Sequence, residues 1–116
     1  MATLKANGPE LLRLSREENI EGDKSVTWRR KTVVCHTNGV ILVKNDVRFR
    51  PMFTFDPPNG RFYSWGWKKA TAAKDNSTPV ETAKNMLRKA LNENSAMNWT
   101  VEFVAPEVQS NGTPLQ

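Results

Sequence analysis

The amino-acid sequence predicts an α+β fold: an antiparallel sheet of four to five strands, one main helix in the C-terminal half packed on one face, and a short helix or ordered arm at the N-terminus. Three observations predict it. Residues 26–35 (VTWRRKTVVC) are rich in β-branched side chains and contain no breaker. Asn38-Gly39 divides this run from a second one, the strongest short hairpin signal. Val80, Ala83, Leu87, Ala90 and Leu91 recur at helical spacing, so one stripe of that segment faces a core.

The elements follow in chain order. In residues 8–20 Pro9 suits a first helical turn, and Leu11, Leu12 and Leu14 supply a weak apolar patch before Glu21-Gly22-Asp23 interrupts. A strand over 26–35 leads through the Asn-Gly turn to a strand over 40–44, which Asn45-Asp46 punctuates. Residues 47–55 (VRFRPMFTF) alternate, with Val47, Phe49, Phe53 and Phe55 on one face and Arg48 and Arg50 on the other. Pro51 lacks a donor and places that strand at an edge or in a bulge. Residues 56–60 (DPPNG) read as a turn and 61–68 (RFYSWGWK) as a fourth strand. After a polar loop, Ser77 or Thr78 caps the helix, with Pro79 in its first turn and Glu81 favoured by the helix dipole. Asn92-Glu93-Asn94-Ser95 weakens it, and Trp99, Val101 and Phe103 alternate in a last strand ending before Pro106. With 116 residues the organisation is an arm or short helix over 1–23, a single α+β domain over 24–105 and a disordered tail over 106–116.

Charge is concentrated in the middle. Residues 24–74 carry eleven basic side chains against Asp46 and Asp56, a balance of +9, whereas 1–23 and 75–116 each carry −2. A polarised field of this kind concentrates polyanions. If 57–60 is a four-residue loop, Phe55 faces Phe62 and Arg50 faces Trp67, and paired residues share a face. Arg48, Arg50, Tyr63, Trp65 and Trp67 then line one face, with the phenylalanines on the other. Arg61, Lys68 and Lys69 extend the track, and continuing the register adds Trp28, Arg30, Val34, Ile41 and Val43. An odd loop length would turn one strand over. Guanidinium groups interleaved with aromatic rings suit single-stranded nucleic acid, because bases stack on the rings while the cations hold phosphates. The same aliphatic, aromatic and arginine-rich composition also suits a protein interface or a second core under the N-terminal arm.

Catalytic and metal chemistry is not expected, nor is any cofactor. Cys35 and His36 are the only residues of their kinds, and as strand neighbours they point to opposite faces. Cys35 is expected in the core and His36 on the surface. No phosphate-cradling glycine loop or nucleophile elbow occurs, and no metal-binding carboxylate cluster lies in the basic block. One cysteine permits no internal disulfide, and no apolar run reaches a bilayer's width. With no secretory leader legible at Met1, the expectation is a cytoplasmic protein without a membrane partner.

Four antiparallel strands followed by a helix resemble the layout of the Whirly family and its transcriptional-coactivator relatives. That resemblance implies single-strand binding on a curved sheet and oligomerisation through the helix. Glu81-Thr82-Ala83-Lys84-Asn85 is loosely similar to the start of the second helix of double-stranded-RNA-binding domains. The basic pair expected at that helix is displaced to Lys68-Lys69, with Asp75-Asn76-Ser77 between. The leading expectation is therefore a non-enzymatic protein binding single-stranded DNA or RNA on the basic and aromatic sheet face with low sequence preference, single-stranded more than double-stranded, as a homodimer or higher oligomer. The competing one is a small phage or viral regulator that inhibits a host protein through the same face.

Overall fold

The computed structural model describes residues 8–22, 25–58, 60–70 and 78–109. Strand β1, Glu10–Asn19, lies inside the sheet, antiparallel to β2 (Val26–His36) on one side and to β6 (Thr100–Val104) on the other. This corrects the short helix or arm expected over 8–20. Leu12 and Leu14 alternate with Arg13 and Ser15, and strands on both sides consume the backbone donors and acceptors that a helix would have satisfied internally. A bulge between Glu10 and Leu12 lets adjacent Leu11 and Leu12 both be buried.

The hairpin after β2 turns at Gly39 (φ 89°), the His36 carbonyl accepting from the Gly39 N–H and the Val40 carbonyl from the His36 N–H. Asn38 keeps negative φ, so the turn is a type I turn followed by a left-handed glycine. Strand β3, Ile41–Phe49, runs unbroken through Asn45-Asp46, which is not the punctuation expected there. Asp46 is buried in the strand because Arg30, directly opposite on β2, supplies its partner. Strands β4 (Phe62–Ser64) and β5 (Lys68–Lys69) share the outer edge of β3, so the sheet runs β4-β3-β2-β1-β6 with β5 beside β4. The expected strand beyond Phe49 is instead a loop that extends to Arg61.

Helix α1, Pro79–Met97, begins as expected. The Thr78 hydroxyl accepts from the Glu81 N–H while the Glu81 carboxylate accepts from the Thr78 N–H, and Pro79 occupies the first turn. Asn92–Ser95 do not end it; it continues to Asn98, whose left-handed backbone (φ 57°) closes the last turn. Ala83, Leu87 and Ala90 pack on Leu11, Leu12, Leu14 and Cys35, each buried leucine contributing roughly 1.5–3 kcal/mol. A short helix α2, Pro106–Gln109, adds Val108 to this core, where a disordered tail was expected; residues 110–116 lie outside the described residues.

Cys35 is in the core as expected, and burial pushes its thiol up to about 11, so it stays protonated at neutral pH. His36 is buried, not on the surface: its Nδ1–H donates to the Gly8 carbonyl at 2.9 Å. Among the described residues no helix is long and apolar enough to cross a membrane, and no group of three or more His, Cys, Asp or Glu is placed to hold a metal ion.

Candidate nucleic-acid interface

Helix α1 covers only one end of its sheet face, contacting β1 and β2. Its last residue, Met97, receives a contact from Arg16 Nη1 at 3.2 Å, and this marks where coverage stops. Beyond that point the strand register lays out two rows of side chains across the uncovered part. Arg16, Lys31 and Asn45 lead to Trp65, and Glu18, Arg29 and Val47 lead to Tyr63. Arg16, Glu18, Arg29, Lys31, Asn45 and Val47 line a hollow of about 400 Å³ over the β2–β3 ladder, together with Arg30 and Asp46, whose side chains the register turns toward the opposite face. Arg29 is paired with Glu18 at 3.2 Å and Arg16 stacks over Trp99 at 5.3 Å, while no carboxylate among the described residues pairs with Lys31. Four cations against two carboxylates, with Arg30 and Asp46 neutralising each other, leave the hollow electropositive.

A second hollow of about 430 Å³ adjoins it across the β3–β4 ladder, lined by Phe49, Arg50, Met52, Phe53, Asp56, Arg61, Tyr63 and Trp65. Phe49 and Tyr63 meet edge to face with centroids 5.2 Å apart, and Tyr63 and Trp65 remain 46% and 47% exposed. The loop beside them is held by one carboxylate. Asp56 Oδ2 accepts from the Met52 and Phe53 N–H groups, and Oδ1 accepts from Arg61 Nε and Nη2. The Met52 N–H, reinforced by Arg61 and the Phe53 N–H, holds the Asp56 carboxyl below its ordinary value, and Asp56 in turn raises Arg61. A carboxyl depressed in the folded state stabilises the loop fully above its unfolded pKa and loses that contribution as pH falls through the folded value. The amide proton shifts of Met52 and Phe53 are therefore expected to titrate together with a midpoint below that of an ordinary aspartate. A midpoint at or above that value would remove Asp56 as the anchor.

The nine residues expected along one basic and aromatic track are divided between the two faces of the sheet. Phe62 faces Arg48 instead of Phe55, a displacement of seven residues. Being odd, the displacement turns one strand over, so Tyr63 and Trp65 lie on the helix-bearing face while Arg48 lies on the other. Arg50 and Arg61 sit in the loop next to Tyr63, and Arg50 Nη2 also donates to the Gly22 carbonyl at 2.5 Å. A bulge after Trp65 then shifts the register by one, so Lys68 (opposite Val43) falls on the helix-bearing face and Lys69 (opposite Leu42) on the open one. Ile41 and Val43 likewise join the helix-bearing face, apart from Val34.

The open face keeps Arg30, Arg48, Trp67 and Lys69 from the expected set. There the Trp67 ring meets the Arg13 guanidinium (5.6 Å) and the Lys44 ammonium (5.7 Å). Trp28 contacts the guanidinium groups of Arg30 and Arg48, each at 5.4 Å, and Arg48 also sits over Phe62 at 5.5 Å. Arg13 pairs with Glu10, and Arg30 with Asp46 and Glu17. This face is therefore largely self-satisfied, part of its aliphatic surface covered by its own aromatic and basic side chains. Sequence reasoning missed Arg16, Arg29 and Lys31. Alternation about Arg30 would have placed Arg29 and Lys31 opposite it, but only a known register says that they meet Tyr63 and Trp65.

Comparison with protein-family models, with curated proteins and with solved structures gives no match.

Proposed function

We propose that the protein binds single-stranded nucleic acid in the trough between the end of α1 and the 50–61 loop, as a binding module and not as an enzyme. One observation carries this reading: Arg29 and Lys31 lie two strands, roughly 10 Å, from the exposed rings of Tyr63 and Trp65 on the same face. Cations on one side and stacking platforms on the other match the two halves of a nucleotide, and neither half requires a particular base. A duplex would hide the bases from those rings.

The test is a salt titration of a labelled single-stranded oligonucleotide with the parent and with Arg29→Ala/Lys31→Ala. Each phosphate neutralised on a single strand contributes about −0.7 to the slope of log K against log salt. The double variant is expected to bind at least about tenfold more weakly at low salt, with a slope shallower by about 1.4. Absence of binding at low ionic strength, or an unchanged slope in the variant, would refute the reading.

A protein-docking role is the second reading, favoured by the loop tip. Met52 and Phe55 are 75% and 78% exposed, and Phe53 stacks on Phe55 at 5.2 Å. Under it Phe55→Asp abolishes the complex and the Arg29→Ala/Lys31→Ala pair leaves it intact.

A further inference from the structure

We infer that the hollow at the 50–61 loop receives one unstacked base of the bound strand and prefers guanine. This rests on the nucleic-acid reading and assigns it a specificity. At about 430 Å³, with Phe49, Phe53, Tyr63 and Trp65 among its walls, the hollow offers flat apolar surfaces to a ring system. It opens one strand away from the basic hollow that would hold the adjoining phosphate.

The polar groups decide which ring system. The Asp56 carboxylate is saturated, each oxygen accepting two hydrogen bonds from within the loop. The Tyr63 hydroxyl is engaged by Arg61. What remains at the side-chain level is donors. Arg61 gives Nε and one Nη2 hydrogen to Asp56 and a further N–H to the Tyr63 hydroxyl, and a guanidinium has five N–H groups, so two are left. The Trp65 indole adds another donor. A donor-only lining favours a base edge made of acceptors alone. Guanine presents two side by side, O6 and N7, and a guanidinium spans them with paired bonds; adenine and cytosine each place an amino donor in that groove edge. The Asp56–Arg61 ion pair orients that fork before any ligand arrives, as pre-organised recognition requires.

The experiment compares a short oligothymidylate with the same strand carrying one central guanine, adenine, cytosine or 7-deazaguanine, measured by fluorescence anisotropy on the unmodified protein. The guanine strand is expected to bind about tenfold more tightly than oligothymidylate, the effect of one good bidentate contact. The 7-deaza strand, which lacks the N7 acceptor, is expected to lose that preference. Arg61→Lys, which keeps a cation beside Asp56 but removes the fork, is expected to bring the guanine strand down to the oligothymidylate level. Equal binding of all strands, or a preference that survives 7-deazaguanine, overturns the base assignment and leaves the nucleic-acid reading standing. Failure of every strand to bind overturns both.

Discussion

Gly60→Ala is expected to lower the melting temperature by roughly 12 °C, about twice the loss expected for alanine at the left-handed Gly39. Gly60 holds φ at +84°, and a Cβ there would sit 1.5 Å from the Phe49 carbonyl oxygen and 2.7 Å from its carbon. Neither atom can yield easily. The Phe49 N–H donates to the Arg61 carbonyl at 2.8 Å, and the next residue, Arg50, donates its N–H to the Ser25 carbonyl at 2.7 Å. The collision is with backbone tied into the sheet, so it adds to the 1–2 kcal/mol that a left-handed conformation costs any L side chain, for a total of about 3 kcal/mol. Gly39→Ala provides the comparison. Its φ of +89° is as demanding, but the nearest atom to the new Cβ is Pro79 Cγ at 3.6 Å, an ordinary contact. Only the conformational cost remains there, and the expected loss is about half as large. Thermal denaturation of the two variants followed by circular dichroism settles the comparison. Equal melting temperatures would show that the Phe49–Gly60 approach does not set the position of the loop.

That approach also explains what was legible in the sequence. Strand β2, the Thr78–Glu81 cap and the apolar stripe of α1 are specified by residues within a few positions of one another, and they form as local rules require. Strand β1 was not legible because little in Glu10–Asn19 favours extension; it is a strand because β2 and β6 flank it, and both are distant in sequence. Asn45-Asp46 reads as a turn until Arg30 is known to lie opposite. The kinds of residues in the site, arginine with tryptophan and tyrosine, were legible from composition. Their division between faces was not. A four-residue turn at 57–60 and the observed loop from Arg50 to Arg61 differ in how many residues separate the paired strands, and only the Gly60 contact and the Asp56–Arg61 pair choose between them.

Arg30 separates stability from binding, and its removal is the second large effect expected. Asp46 is 1% exposed on the open-face side of β3, its Oδ2 accepting from Arg30 Nε at 3.1 Å and Nη2 at 2.9 Å, while Oδ1 has no partner among the described residues. Arg30→Met leaves that carboxylate buried without its counterion. Breaking a buried pair from one side costs about 3–5 kcal/mol, and because the Arg30 side chain is itself partly exposed, about 2–4 kcal/mol is expected here. Asp46→Leu costs less, about 1 kcal/mol, because the freed guanidinium still reaches solvent and Glu17, already 3.8 Å away. Combining the two removes both charges, and the double variant is expected to regain most of what Arg30→Met loses, a coupling of at least about 2 kcal/mol in a denaturant-based mutant cycle. Additive losses would show that the pair does not act as a unit. The double variant carries a second consequence. Arg30 turns its guanidinium toward Asp46, on the face opposite Arg29 and Lys31, so the stable Arg30→Met/Asp46→Leu protein is expected to bind a single strand like the parent. Weakening comparable to that of Arg29→Ala/Lys31→Ala would move the interface to the open face of the sheet.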